Sequence, residues 1–270
     1  MTPSRTTGRS PALNLFLVIW CALVFGFLMA PLLIVFPISF SSASYLQFPP
    51  PGWSLRWYQA YLSDYAWMDA TWRSVKVALA TTVLSTVLGT MLAFSLVRGR
   101  YPGRAALGQV ANTPLLVPTI IYSVAVYGLF AQMRLIGQWW GIVLAHTVLA
   151  IPYVTIMVSA ALKTVDPRLE QAAIGLGASR LTAIRRVTLP IIRPAIISAM
   201  FLAFISSFDE LVVAMFLGGV NMTLPKKMFD NIVNEIDPTI AAVSVLQILL
   251  VCVCLLLAKR FGMGGQKIGV

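Results

Sequence analysis

Residues Lys163–Arg193 read KTVDPRLEQAAIGLGASRLTAIRRVTLPIIR, a polar, basic stretch held between two apolar blocks, Trp140–Leu162 and Pro194–Leu217. Its local chemistry describes a helix–turn–helix. Asp166 is a good N-cap for a helix opening at Pro167, whose missing N–H costs nothing in a first turn. Gly175 and Gly177 break that helix. Ser179 is placed to cap a second one running through Arg186, and Pro190 and Pro194 then mark re-entry into the next apolar block. The small residues Ala172, Ala173, Gly177 and Ala178 allow close approach of a partner surface.

Working outward, the two flanking blocks belong to a set of six, each about as long as a bilayer is thick, roughly 20 residues in a helix. The others are Leu15–Phe40, Val75–Val97, Leu107–Phe130 and Thr239–Ala258. The 270 residues are 59% hydrophobic and 11% charged, under half the charge of about 25% that coats a soluble domain. The expected fold is therefore an all-α polytopic membrane protein with six transmembrane helices. The first block is too long for a cleaved leader's core of about 7–15 residues. Prolines at 37, 114, 118 and 152 fall inside blocks, which membrane helices tolerate where neighbours satisfy the freed carbonyls.

Basic residues orient the chain. With the N-terminus inside, 14 of the 20 Lys and Arg lie in inner segments, six of them in the 163–193 loop, while those segments hold only Asp166 and Glu170 as acids. Both ends are then cytoplasmic: residues 1–13 and 263–270 are tails, and 14–262 form the membrane domain, with 163–193 as an inner loop. The net charge of +11 is spread in short clusters between apolar blocks, without the basic face that nucleic-acid binding needs. Cys21, Cys252 and Cys254 lie within apolar blocks, so neither a disulfide framework nor a metal site is expected. The sequence holds no GxxxxGK[ST] phosphate loop, and no catalytic residue and no cofactor is assigned.

Two outer segments are expected to be structured, Ser54–Ser63 and Leu224–Ile236. In the fifth block, Ser206-Ser207-Phe208-Asp209-Glu210 carries two acids at membrane depth, where a functional role is the default. One reading makes them attract a cation; the other leaves them at the outer helix end, hydrated or paired with Lys226 or Lys227. Thr119, Tyr122 and Ser123 share a face of the third block, as path lining or as helix packing. His146, the single histidine, is expected to make a structural hydrogen bond.

The inner loop resembles the EAA loop of binding-protein-dependent ABC importers, whose pattern is EAA, three residues, Gly, nine residues, an aliphatic residue, one more, then Leu-Pro. Here Gln171-Ala172-Ala173, Gly177, Val187, Leu189 and Pro190 stand at those spacings. The usual acid is Gln171, with Glu170 beside it; either Glu170 supplies the carboxylate or the contact is neutral. The resemblance implies a type I ABC importer permease in the bacterial inner membrane. It further implies a coupling loop (Glu170, Gln171, Ala172, Ala173, Gly177, Leu189, Pro190) seated on one of two cytoplasmic ATPase subunits, a second homologous permease, and a periplasmic or extracellular substrate-binding protein.

From about Leu33 to Arg260 the chain is similar to the second permease of spermidine/putrescine importers, through Trp57-Tyr58, the Ser-Phe-Asp-Glu run at 207–210 and NEIDPTI at 234–240. That resemblance implies a polyamine path at Trp57, Ser207, Asp209 and Glu210, with Thr119 and Tyr122 as candidate lining. Thr119 stands where the family carries an acid, so part of the expected cation site is missing. Opines, aminophosphonates and amino acid derivatives are alternative cargoes. A secondary carrier, the alternative of another class, would call for coupling-ion sites and commonly an internal repeat.

Overall fold

In the computed structural model, residues 11–234 and 237–262 are described. The tails 1–10 and 263–270, with Arg5, Arg9 and Lys267, lie outside them, as do Glu235 and Ile236. The chain divides into two compact units, one made of residues up to 61 with those from 236 to 246, the other of 62–235 and 247 onward.

In the first unit, α1 spans Pro11–Ser39 and α2 spans Arg56–Ser63, its last two residues belonging to the second unit, inside the Ser54–Ser63 stretch expected to be structured. A single bridge between Ser41 and Trp53 closes the segment joining them. Ser39 and Tyr58 hydroxyls meet at 2.8 Å.

The second unit opens with α3, Tyr65–Arg98. Asp64 caps it by accepting from the N–H groups of Ala66 and Trp67 at 2.7 and 3.0 Å. That cap starts the helix ten residues before the apolar block does. The resulting 34-residue rod is roughly 51 Å long at 1.5 Å per residue, so it overruns the hydrocarbon layer. Next come α4 (Arg104–Asn112), α5 (Thr119–Gln132) and α6 (Trp139–Thr164). In the loop are α7 (Pro167–Gly175) and α8 (Arg180–Ala183), followed by α9 (Leu189–Phe208), α10 (Val212–Leu217), α11 (Leu224–Asn234) and α12 (Thr239–Gly262), whose first turns belong to the first unit.

Among the described residues five helices are long and apolar enough to cross a membrane, counting α8–α9 as one rod. A sixth is reached by taking as one span the bent pair of α4 with the turn Thr113–Leu115, and α5, which meet at 102°. The expected straight helix over Leu107–Phe130 is therefore corrected. Pro114 and Pro118 both lack an N–H, and each disfavours helical geometry at the residue before it.

The packing centre is α3 against α6 and α9. Ala93, Ala150, Val154, Val158, Leu162, Ile192, Ala199 and Ala203 are buried together there. Gly89 marks the closest approach, since a Cβ at that position would lie 2.7 Å from the Cβ of Val154. Small residues at a helix crossing suit a membrane bundle, where association rests on van der Waals contact. A second cluster joins Val77, Ile142, Val143 and Ala145 to Val213 and Leu217, with Tyr122, Val126 and Phe130 of α5 against it.

Candidate functional site: the elbow and the acidic helix break

The 163–193 loop forms a rigid elbow by the means its sequence suggests. Asp166 accepts from the N–H of Arg168 at 2.9 Å, and Pro167 opens α7. The helix ends in a left-handed cap at Gly177 (φ 91°), with the Ala178 N–H reaching back to the Ala173 carbonyl at 3.1 Å, the glycine-capped stop that glycine geometry favours. Ser179 then accepts from the Thr182 N–H at 3.2 Å.

The second helix does not stop at Arg186. Ile184–Thr188 wind as a wider π turn and run straight into α9, so Pro190 lies within a continuous rod rather than at a re-entry bend. The wide turn, in which the Leu189 N–H donates to the Ile184 carbonyl, accommodates a proline that has no N–H to give.

Glu170 turns inward. Its Oε1 accepts from Arg98 Nε at 3.2 Å and from Thr188 Oγ1 at 2.8 Å, while Arg98 Nη2 donates to the Val165 carbonyl at 2.9 Å. The Arg98 and Glu170 side chains are only 15% and 14% exposed. This carboxylate clasps α7 to the ends of α3 and α9, so it is not a free acid presented to a partner. Gln171, Ala172 and Pro190 are exposed, and Ala173 and Leu189 are half-buried. The tip presents apolar side chains to the outside: Leu176 is 91% exposed and Leu181 75%, with Leu169 and Ile174 near half. Arg98 and Thr188 were not singled out in the sequence; a lone Arg at a helix end gives no hint of a partner 72 residues on.

At the other candidate site, the helix expected to continue through Asp209 and Glu210 is broken. Helix α9 ends at Phe208, and α10 starts at Val212. Glu210 Oε1 accepts from the Val213 N–H at 3.1 Å and so caps α10, while Asp209 Oδ1 accepts from Gln247 Nε2 of α12 at 2.8 Å. The pairing with Lys226 or Lys227 that the second reading allowed is not formed: Lys226 donates to the Gly219 carbonyl at 2.7 Å, and Lys227 sits 5.4 Å from the centroid of the Trp67 ring. Among the described residues neither acid has a cationic partner.

Ser207 precedes this break by two residues, and Tyr122 packs against the cluster that holds Val213 of α10. Ser207 is buried and meets His146 Nδ1 at 2.9 Å, tying α9 to α6 in a structural bond of the kind expected for that histidine. Tyr122 donates its hydroxyl to the Ala145 carbonyl of α6 at 2.8 Å, and Ser123 donates to the Thr119 carbonyl within α5. Trp57 lies in the first unit, its ring covered on one face by the Arg56 guanidinium at 4.2 Å.

Residues 85–262 match the family described as binding-protein-dependent transport system inner membrane component. The chain is 36% identical over 230 residues to the putrescine transport system permease protein PotI of Escherichia coli K12, covering 82% of each. It is 30% identical over 228 residues to the spermidine/putrescine transport system permease protein PotC of Haemophilus influenzae, covering 84% of this chain and 88% of that one. Among solved structures, a chain of a bacterial ABC transporter involved in import of the acidic polysaccharide alginate superposes with a TM-score of 0.71 at 18% identity, over 96% of this chain and 99% of that one. A chain of the MetNI methionine ABC transporter gives 0.60 at 20% identity, over 73% and 95%. Both share the fold. The chain belongs to the binding-protein-dependent transport system inner membrane components, as a multi-pass, non-catalytic permease subunit of an importer.

Proposed function

We propose that this permease imports a small polycationic amine of the putrescine and spermidine class, driven by ATP hydrolysed on separate subunits. The observation that carries the ATP-driven reading is the elbow. Leu176, just past α7, and Leu181 of α8 stand exposed at its tip, and α7 is clasped from behind through Glu170 by Arg98 and Thr188. Apolar side chains at such a tip are costly in water and suit a partner's groove, and the clasp passes a push on α7 directly to α3 and α9. Two ATPase subunits, one on this elbow and one on that of a second homologous permease, would close and open the pair as a two-state device. The external binding protein delivers cargo at the far end, and the basic bias places both chain ends and the elbow in the cytoplasm.

The cargo class rests on the two relatives' named substrates and on Asp209 and Glu210, acids at a helix break that no lysine or arginine among the described residues neutralises. Carboxylates and aromatic faces suit ammonium groups; by resemblance Trp57 supplies such a face. Gln171 meets the ATPase as a neutral hydrogen-bonding group. Proteoliposomes holding this chain, its co-encoded subunits and the binding protein should take up radiolabelled putrescine only with ATP, and vanadate should stop them. Uptake driven by an ion gradient and indifferent to vanadate would return the chain to the carrier class. Vanadate-sensitive uptake of another amino compound but not of polyamines would retain the importer and overturn the cargo.

A further inference from the structure

At the end of α3 opposite the elbow lies a cavity of about 540 Å³ lined by Asp69, Arg73, Lys76, Val77, Leu79, Ala80 and, from α6, Trp139. Neither the acidic break nor the coupling elbow uses it. Its depth is set by two helices independently. Arg73 precedes Arg98 by 25 positions on α3, and Trp139 precedes Lys163 by 24 on α6. At 1.5 Å per residue these are roughly 38 and 36 Å, comparable with a bilayer of about 40–45 Å including its headgroups. The cavity mouth is therefore at headgroup level when the elbow end is at the opposite surface. Trp139 lines it with its ring centroid 3.9 Å from that of exposed Trp140, and exposed Trp72 adjoins Arg73 in the chain, in the manner of an interfacial aromatic belt.

The charge at the mouth is positive. Asp69 takes one nitrogen of Arg73, Nη2, at 2.8 Å, which offsets one cation. Lys76, one turn along, is exposed and makes no hydrogen bond or ion pair among the described residues. Arg73 and Lys76 against Asp69 leave a net charge of +1. Below the cations the lining turns apolar at Val77, Leu79 and Ala80, and the stripe continues on the same face of α3 through exposed Leu79, Val83 and Val87 at four-residue spacing. A cationic, tryptophan-rimmed mouth above an apolar groove matches an amphiphile with an anionic head. It repels the polycation proposed as cargo.

We propose that Arg73, Lys76 and Trp139 frame a site for the phosphate of an anionic phospholipid, one acyl chain of which lies along Leu79 and Val83. The lysine and arginine neutralise the phosphodiester and the indole lies at the glycerol level. The site goes beyond transport of the cargo and does not depend on which amine is carried.

The test uses the full-length chain with its co-purifying subunits in mild detergent, exposed to equal amounts of phosphatidylglycerol and phosphatidylcholine and read by native mass spectrometry. A basic side chain at an anionic headgroup is worth about fivefold, so phosphatidylglycerol should be retained about fivefold over phosphatidylcholine. Lys76→Gln, an exposed position that leaves the fold intact, should reduce that preference to about one. Independently, a photoactivatable phosphatidylglycerol should label wild-type residues 69–83 or Trp139. Millimolar inorganic phosphate should leave the lipid in place. A preference that survives Lys76→Gln, labelling that falls elsewhere, or displacement by inorganic phosphate overturns the lipid site, the last in favour of a free anion. If Lys76→Gln instead weakens stimulation by the binding protein in pure phosphatidylcholine discs, the cavity meets an acidic protein surface and the lipid assignment fails.

Discussion

Gly177 holds the elbow's turn in the left-handed region at φ 91°, with open space where a Cβ would stand. The penalty for a side chain is therefore in the backbone, about 1–2 kcal/mol for most residues and less for Asn, which visits this region readily. Uptake should fall in the order Gly, Asn, Ala, Val at position 177, with expression of the membrane domain preserved. Full transport by Gly177→Val would remove the turn from the coupling route. At the acidic break, Asp209→Asn and Glu210→Gln keep an oxygen for the Gln247 amide and the Val213 N–H, so they remove charge without removing structure. A charged hydrogen bond to an ammonium is worth about 1.5–3 kcal/mol, so the double substitution should raise the apparent KM for putrescine at least about tenfold. Unchanged kinetics, measured with assembly intact, would make both residues structural.

Among the elements, the clasp between α7, α3 and the π turn matters most for force transmission. Removing one partner of a well-buried ion pair costs about 3–5 kcal/mol, and the slight exposure of Arg98 and Glu170 moves this pair toward the lower figure. Glu170→Ala should lower the thermal unfolding midpoint of the purified complex and loosen coupling, so that ATP turnover persists while uptake falls. Glu170→Gln, which keeps an acceptor for Arg98 and Thr188, should be milder. Equal transport by Glu170→Ala and wild type would mean the elbow is held by something else. The elbow's caps were legible in the sequence because Asp166, Gly177 and Ser179 act within bonds that span only two to five positions. The clasp was not, because its partners meet only in the folded bundle. Helix breaks divide in the same way. Pro114 and Pro118 do signal the bend between α4 and α5, though membrane helices often absorb prolines. Nothing local signals the stop at Phe208, where Glu210 caps α10 and Gln247 holds Asp209 from a helix 38 residues away.

For the whole molecule, composition alone indicated the solvent, since apolar blocks of bilayer length need no tertiary information to be recognised. The path was legible only in part. Ser207 and Tyr122 carry hydroxyls that look suited to a polar channel, yet each meets a neighbouring helix, through His146 and the Ala145 carbonyl. In lipid, polar side chains between helices are as valuable for packing as for transport, and residue type does not separate the two. What remains is a bundle without its own fuel and an elbow built to receive motion. A photocrosslinking amino acid at Leu176 or Leu181, in membranes that carry out ATP-dependent uptake, tests that most directly. Both positions should capture a separate ATP-binding polypeptide, and Val87 on the exposed stripe of α3 should not. Sustained uptake with no ATP-binding polypeptide captured at either elbow position would contradict the coupling role.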